Sequence, residues 1–110
     1  ELQNLINQGN TVFVDITADW CITCKANKIL VLNSKEFKRL IRDNKIILMK
    51  GDWTKPNDEI NKFLQNVDRY GIPFNALYNF NFPNGLLYSE ILSLEAIKES
   101  LIKLHSSNAK

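Results

Sequence analysis

Apolar positions change their spacing several times along the chain, and each change marks an element. Leu2, Leu5 and Ile6 fall on one helical face, which Gly9 would terminate. Residues 11–18, "TVFVDITA", are dense in β-branched and aromatic side chains and predict a buried strand. Helical spacing follows from Cys24 to about Leu32, then again over 34–42, where Phe37, Leu40 and Ile41 face inward. "KIILMKG" (45–51) predicts a second buried strand. "KPND" reads as a turn opening a helix whose apolar face is Ile60, Phe63, Leu64 and Val67. "FNALYNF" (74–80) and "LLYSEIL" (86–92) read as strands separated by the turn "NFPNG", with Asn84-Gly85 favouring a hairpin. Ser93 caps a last helix that turns Leu94, Ile97, Leu101 and Leu104 inward. The predicted order is α-β-α-α-β-α-β-β-α. Strands alternating with helices imply a parallel core, and the closing hairpin adds antiparallel strands at one side.

Composition narrows the class. The 110 residues are 45% hydrophobic and 24% charged, ordinary for one globular domain. A chain of this size buries roughly two-thirds of its unfolded surface and needs no covalent staple. The net charge of +2 is too mild to argue for nucleic acid or an anionic membrane. No apolar run approaches a membrane span, and no signal peptide is evident. The first residue is Glu1 rather than methionine, so the expectation is a domain of residues 1–110 excised from a larger protein.

The chemistry concentrates in "TADWCITCK", residues 17–25, which holds both cysteines of the chain. A disulfide closing so small a loop removes little unfolded-state entropy, so a structural staple explains Cys21 and Cys24 poorly. Structural zinc wants four protein ligands. The single histidine, His105, lies far along the chain and reads as a surface residue. A two-thiolate copper(I) site is compatible with the ligand count. A CxxC where a strand turns into a helix reads as a redox pair, and Trp20 in front of it strengthens that reading.

Three segments, "VFVDITADWCITCK", "DWTKPN" and "RYGIPFNALY", together resemble the thioredoxin-like C-terminal domain of the bacterial thiol:disulfide interchange protein (DsbD) family, including its copper-sensitivity-suppressor relatives. The resemblance implies an α/β thioredoxin fold, a central mixed sheet flanked by helices on both faces. It implies a protein-disulfide reductase with no cofactor beyond the Cys21–Cys24 pair and with no metal. It places the domain at the periplasmic face of the inner membrane, monomeric in isolation and carried by a membrane protein. The membrane electron-donor domain of that protein would reduce it. Disulfide-bearing periplasmic proteins would be reduced by it in turn, with a link to cytochrome c biogenesis. A free-standing thioredoxin-like reductase is the alternative, and a copper(I)-binding module a more distant one.

Roles follow for single residues. Cys21, at a helix N-terminus that favours an anion, would be the attacking thiolate with its sulfur exposed. Cys24, one turn inside and more buried, would resolve the mixed disulfide. Asp15 interrupts the apolar run "VFVDI", where a carboxylate is costly and its pKa should rise, which suits a proton acceptor for Cys24. It matches the buried acid of thioredoxins, and Lys50 matches a lysine that pairs with that acid. Trp20 would flank the sulfurs, whereas Asp19 reads as a surface residue. Tyr70, Gly71, Ile72 and Pro73, followed by Phe74 and Asn75, would lie opposite the cysteines. The resemblance implies a cis Ile72–Pro73 bond whose free backbone groups pair with a substrate strand. Reduction potentials of such pairs run from about −270 mV for thioredoxin to about −120 mV for a strong oxidant, a span of about 7 kcal/mol. Ile22 and Thr23 between the cysteines offer no cation, and Asp15 opposes a nearby thiolate, so both favour a reductant. Lys28, one turn beyond Cys24, opposes that trend unless it is simply a solvated helix residue.

Overall fold

In the computed structural model, residues 2–55, 57–69 and 71–108 are described, with the backbone alone beyond residue 104. Tyr70 and the side chain of His105 therefore lie outside the described residues. The elements are α1 (Leu2–Asn7), β1 (Thr11–Thr17), α2 (Ile22–Asn27), α3 (Lys35–Asp43), β2 (Ile46–Asp52), α4 (Asp58–Asn66), β3 (Phe74–Asn79), β4 (Phe82–Leu87) and α5 (Leu94–Asn108). A π-helical turn, Lys28–Leu32, continues α2 without a break. This is the order that the apolar pattern predicts.

The sheet runs β2-β1-β3-β4. Strand β1 pairs in parallel with β2 and antiparallel with β3, and β3 pairs antiparallel with β4. Because side chains alternate across a strand, β1 divides its residues between two cores. Phe13 joins Phe37, Ile46, Leu77, Tyr88, Ile97 and Leu101 on one face. Val12, Val14 and Ile16 join Ile6, Leu64, Phe74, Ala76 and Tyr78 on the other. Asp15 follows the parity of Phe13, and Asn75 that of Leu77, so both belong to the face that carries α3 and α5. The helix starts use the capping chemistry of their sequence. Ser34 accepts from the Phe37 N–H, Asn57 from the Ile60 N–H and Ser93 from the Ala96 N–H.

Two expectations need correction. Strand β2 is not buried on both sides. It is an edge of the four-stranded sheet, burial alternates along it, and Leu48 is 48% exposed. The β3–β4 hairpin does not turn at Asn84-Gly85. It turns at 80–81, where the Asn79 side chain accepts from the N–H groups of Asn81 and Phe82. Asn84 and Gly85 fall within β4, at a register shift opposite Tyr78, and Gly85 adopts φ 87°.

Candidate active site

Strand β1 ends at Thr17, and a four-residue connection delivers the chain to α2. Cys21 is the N-cap of that helix, in extended conformation (φ −90°, ψ 105°). Its Sγ accepts from the Cys24 backbone N–H at 3.1 Å. The two cysteines form a disulfide. α2 begins at Ile22, two residues earlier than the apolar spacing indicates, because the cap sets the start rather than the first apolar periodicity. Cys21 is not exposed as expected. It is 6% exposed and Cys24 5%, so the two are equally buried in this oxidised pair, with Ala18 and Ile72 packed around them.

The loop before Cys21 is tied to the turn after β2. Asp52 accepts from the backbone N–H and hydroxyl of Thr54, and the Thr54 hydroxyl oxygen accepts from the Asp19 N–H at 2.9 Å. The Trp20 indole N–H donates to the Thr54 carbonyl at 3.2 Å. Trp20 remains 59% exposed, its ring 6.3 Å from that of Trp53. It stands beside the disulfide on the surface, held by the "DWT" turn. Thr54 was invisible as a site residue in the sequence, although the segment containing it was not.

Opposite the disulfide, the Ile72–Pro73 bond is cis, Pro73 is buried, and Ile72 packs against Ala18, Cys21 and Cys24. A second clasp comes from Asn27 at the end of α2. Its side chain donates to the Glu90 carbonyl at 2.8 Å and accepts from the Leu92 N–H at 3.1 Å, fixing the segment that leads into α5.

A polar row crosses the sheet. Lys50 of β2, Asp15 of β1 and Asn75 of β3 are lateral neighbours. Asp15 is 7% exposed, and burial raises its pKa above the usual carboxylate range. The Asn75 hydrogen bond and the charges of Lys50 and Lys28 oppose that rise. Lys50 is exposed, as is Lys28. Both line a cavity of about 290 Å³ that reaches Cys24, and both line a second, about 230 Å³, that reaches Asp15. Cys24 and Asp15 thus share two cationic neighbours. Lys28 is a solvated helix residue and also acts on the buried acid.

Residues 1–79 match the family model described as thioredoxin-like. The chain belongs to the thioredoxin-like family. No curated protein sequence matches it. Among solved structures, this thioredoxin-like domain is similar to the C-terminal domain of Neisseria meningitidis DsbD. The oxidised form aligns with a TM-score of 0.69 at 20% identity, covering 93% of this chain and 88% of that one. The reduced form gives 0.65 at 19%, covering 93% and 89%. A mutant thioredoxin from Halobacterium salinarum gives 0.62 at 20%, covering 90% and 78%. The expected α/β thioredoxin fold is therefore present. A CxxC disulfide at the first strand–helix junction of that fold is the machinery of a thiol-disulfide oxidoreductase. Among the described residues, no three His, Cys, Asp or Glu side chains gather as metal ligands, and no helix is long and apolar enough to cross a membrane.

Proposed function

We propose that this domain is the reducing partner in a periplasmic thiol relay. Reduced Cys21 attacks a disulfide of the acceptor, forming a Cys21–acceptor disulfide and expelling one acceptor thiolate. Cys24 gives its proton to Asp15 and attacks Cys21 Sγ. The Cys21–Cys24 disulfide closes and the second acceptor sulfur leaves as thiolate. Two electrons pass to the acceptor. The observation that carries this reading is the Cys24 N–H held on Cys21 Sγ, since a donor placed there stabilises the thiolate of the attacking cysteine over that of its partner. Ile72, packed against the cysteines, and Pro73 next to it are the segment on which an extended acceptor strand lies. Trp20 covers one flank, and Lys50 steadies the charge of Asp15.

The likeness to DsbD C-terminal domains supports a membrane-borne donor, a periplasmic site and acceptors that include those feeding cytochrome c biogenesis. The isolated domain is monomeric and needs no cofactor beyond its disulfide. The test is reduction of a protein disulfide such as those of insulin by the reduced domain. Wild type should turn over with a dithiol regenerant, and Cys21→Ser should not. Turnover that survives Cys21→Ser would contradict the reading.

A further inference from the structure

We propose that Asn75 is a positioning residue for thiol exchange: its side-chain amide fixes the Asp15 carboxyl so that one defined oxygen receives the proton of Cys24. This rests on the reading of Asp15 as the proton acceptor.

The geometry is direct. Asn75 Nδ2 donates to Asp15 Oδ1 at 2.9 Å. The two residues are cross-strand partners between β1 and β3, and Asn75 is 3% exposed. Its neighbours Phe74, Ala76 and Leu77 are all buried and apolar, and the other buried amide of the strand, Asn79, is engaged at its far end in the turn to β4. An amide buried there is costly unless it is hydrogen-bonded, and an apolar pair at 15 and 75 would serve the fold as well or better. The main chain of Asn75 is held too. β1 pairs with it on one side, and on the other its carbonyl accepts from the Tyr88 N–H at 3.0 Å. A rigid donor therefore meets a carboxyl that has little solvent to orient it.

An N–H donor satisfies Oδ1 whether or not the carboxyl is protonated, provided that the proton resides on Oδ2. The amide therefore selects Oδ2 as the proton-accepting oxygen. It also favours the charged form, alongside Lys50 of β2 and Lys28 of the turn after α2, while Lys38 of α3 lines the same cavity. Because Asn75 lies two residues beyond Pro73, one short segment carries both the proposed acceptor-binding surface and the group that sets the proton acceptor. Nothing in the apolar pattern marks Asn75 for this, because residues 74–80 read simply as a strand.

The test separates the two thiol steps with a chromogenic aromatic disulfide, 5,5′-dithiobis(2-nitrobenzoate), applied to the reduced domain. The first thionitrobenzoate released reports attack by Cys21, and the second reports resolution by Cys24. Asn75→Leu should leave the first step within about twofold of wild type, slow the second several-fold, and move its pH midpoint upward by about half a unit or more. Asn75→Ala gives the same readout should the larger side chain disturb the fold, and Asn75→Gln should restore part of the rate. Asp15→Asn should remove the pH-dependent limb altogether, and adding Asn75→Leu to it should change nothing further. If Asp15→Asn removes the limb while Asn75→Leu and Asn75→Ala keep the wild-type midpoint, the role of Asn75 is overturned and that of Asp15 stands. If the Asn75 variants slow both steps equally, Asn75 is structural. If Asp15→Asn leaves the limb intact, the reading of Asp15 fails, and this inference with it.

Discussion

The backbone N–H of Cys24 points at Sγ of Cys21, 3.1 Å away, across the first turn of α2. The relation is one-sided, since the cap residue receives the donor and the residue inside the helix supplies it. On reduction that donor remains to stabilise a Cys21 thiolate. Cys24→Ser should therefore accumulate a stable disulfide between Cys21 and the acceptor, while Cys21→Ser should form none. Mass spectrometry of the adducts under non-reducing conditions decides it. A stable adduct on Cys24 in the Cys21→Ser protein would reverse the assignment.

Asp15 carries a stability signature as well as a kinetic one. Its carboxyl titrates higher in the folded chain than in the unfolded one, because burial penalises the charge. The folded state then holds the proton more tightly, so the residue costs stability at neutral pH. The cost fades as pH falls through the raised folded value towards the unfolded one near 4. Each unit of upward shift is worth about 1.4 kcal/mol. Asp15→Asn should make the oxidised domain more stable at pH 7 to 8, with the gain gone by about pH 4. Urea denaturation across that range measures it, and a pH-independent difference would mean that the carboxyl is not ionised at a cost.

Lys28 is the electrostatic counterpart. Its charge helps to hold the pKa of Asp15 down. Lys28→Gln should raise the Asp15 titration midpoint, and because Lys28 is exposed the difference should shrink in high salt. A carbon-13 NMR titration of the Asp15 carboxyl reads this directly. An unchanged midpoint at low salt would leave Lys28 as a solvated helix residue alone.

Far from the cysteines, the Tyr78 hydroxyl is buried with no hydrogen-bond partner among the described residues, and burial pushes its pKa up to about 12. Tyr78→Phe removes an unsatisfied polar group without changing the ring that packs on Gly85. It should be neutral or stabilising by up to about 1 kcal/mol, with disulfide reduction unaffected. Loss of more than that in thermal or urea unfolding would reveal a partner for the hydroxyl.

The amino-acid pattern carried the element order, both cysteines, the buried acid and the proline segment. These signals are local: an apolar run broken by Asp15, a Trp-Cys junction, a proline at a strand start. What it missed depends on tertiary neighbours. β2 has the composition of a central strand, yet sheet order leaves it at an edge, and no residue within it records the missing neighbour. Asn84-Gly85 carries hairpin chemistry but serves a bulge, because Asn79 caps an earlier turn with its own side chain. Thr54 and Asn75 gain their roles only from residues 35 and 60 positions away. The exposure expected of Cys21 failed for a similar reason, since Ile72, in the segment that leads into β3, packs against both cysteines.

The central claim is that this pair runs as a reductant, and its equilibrium reduction potential tests that most directly. Equilibration of the domain with defined glutathione buffers, followed by quantification of the Cys21–Cys24 dithiol, gives the value. With Ile22 and Thr23 between the cysteines and a buried Asp15 on the strand that leads to them, the potential should fall nearer the thioredoxin end, about −270 mV, than the oxidant end, about −120 mV. A value close to −120 mV, or a pair that does not titrate as one two-electron couple, would contradict the account.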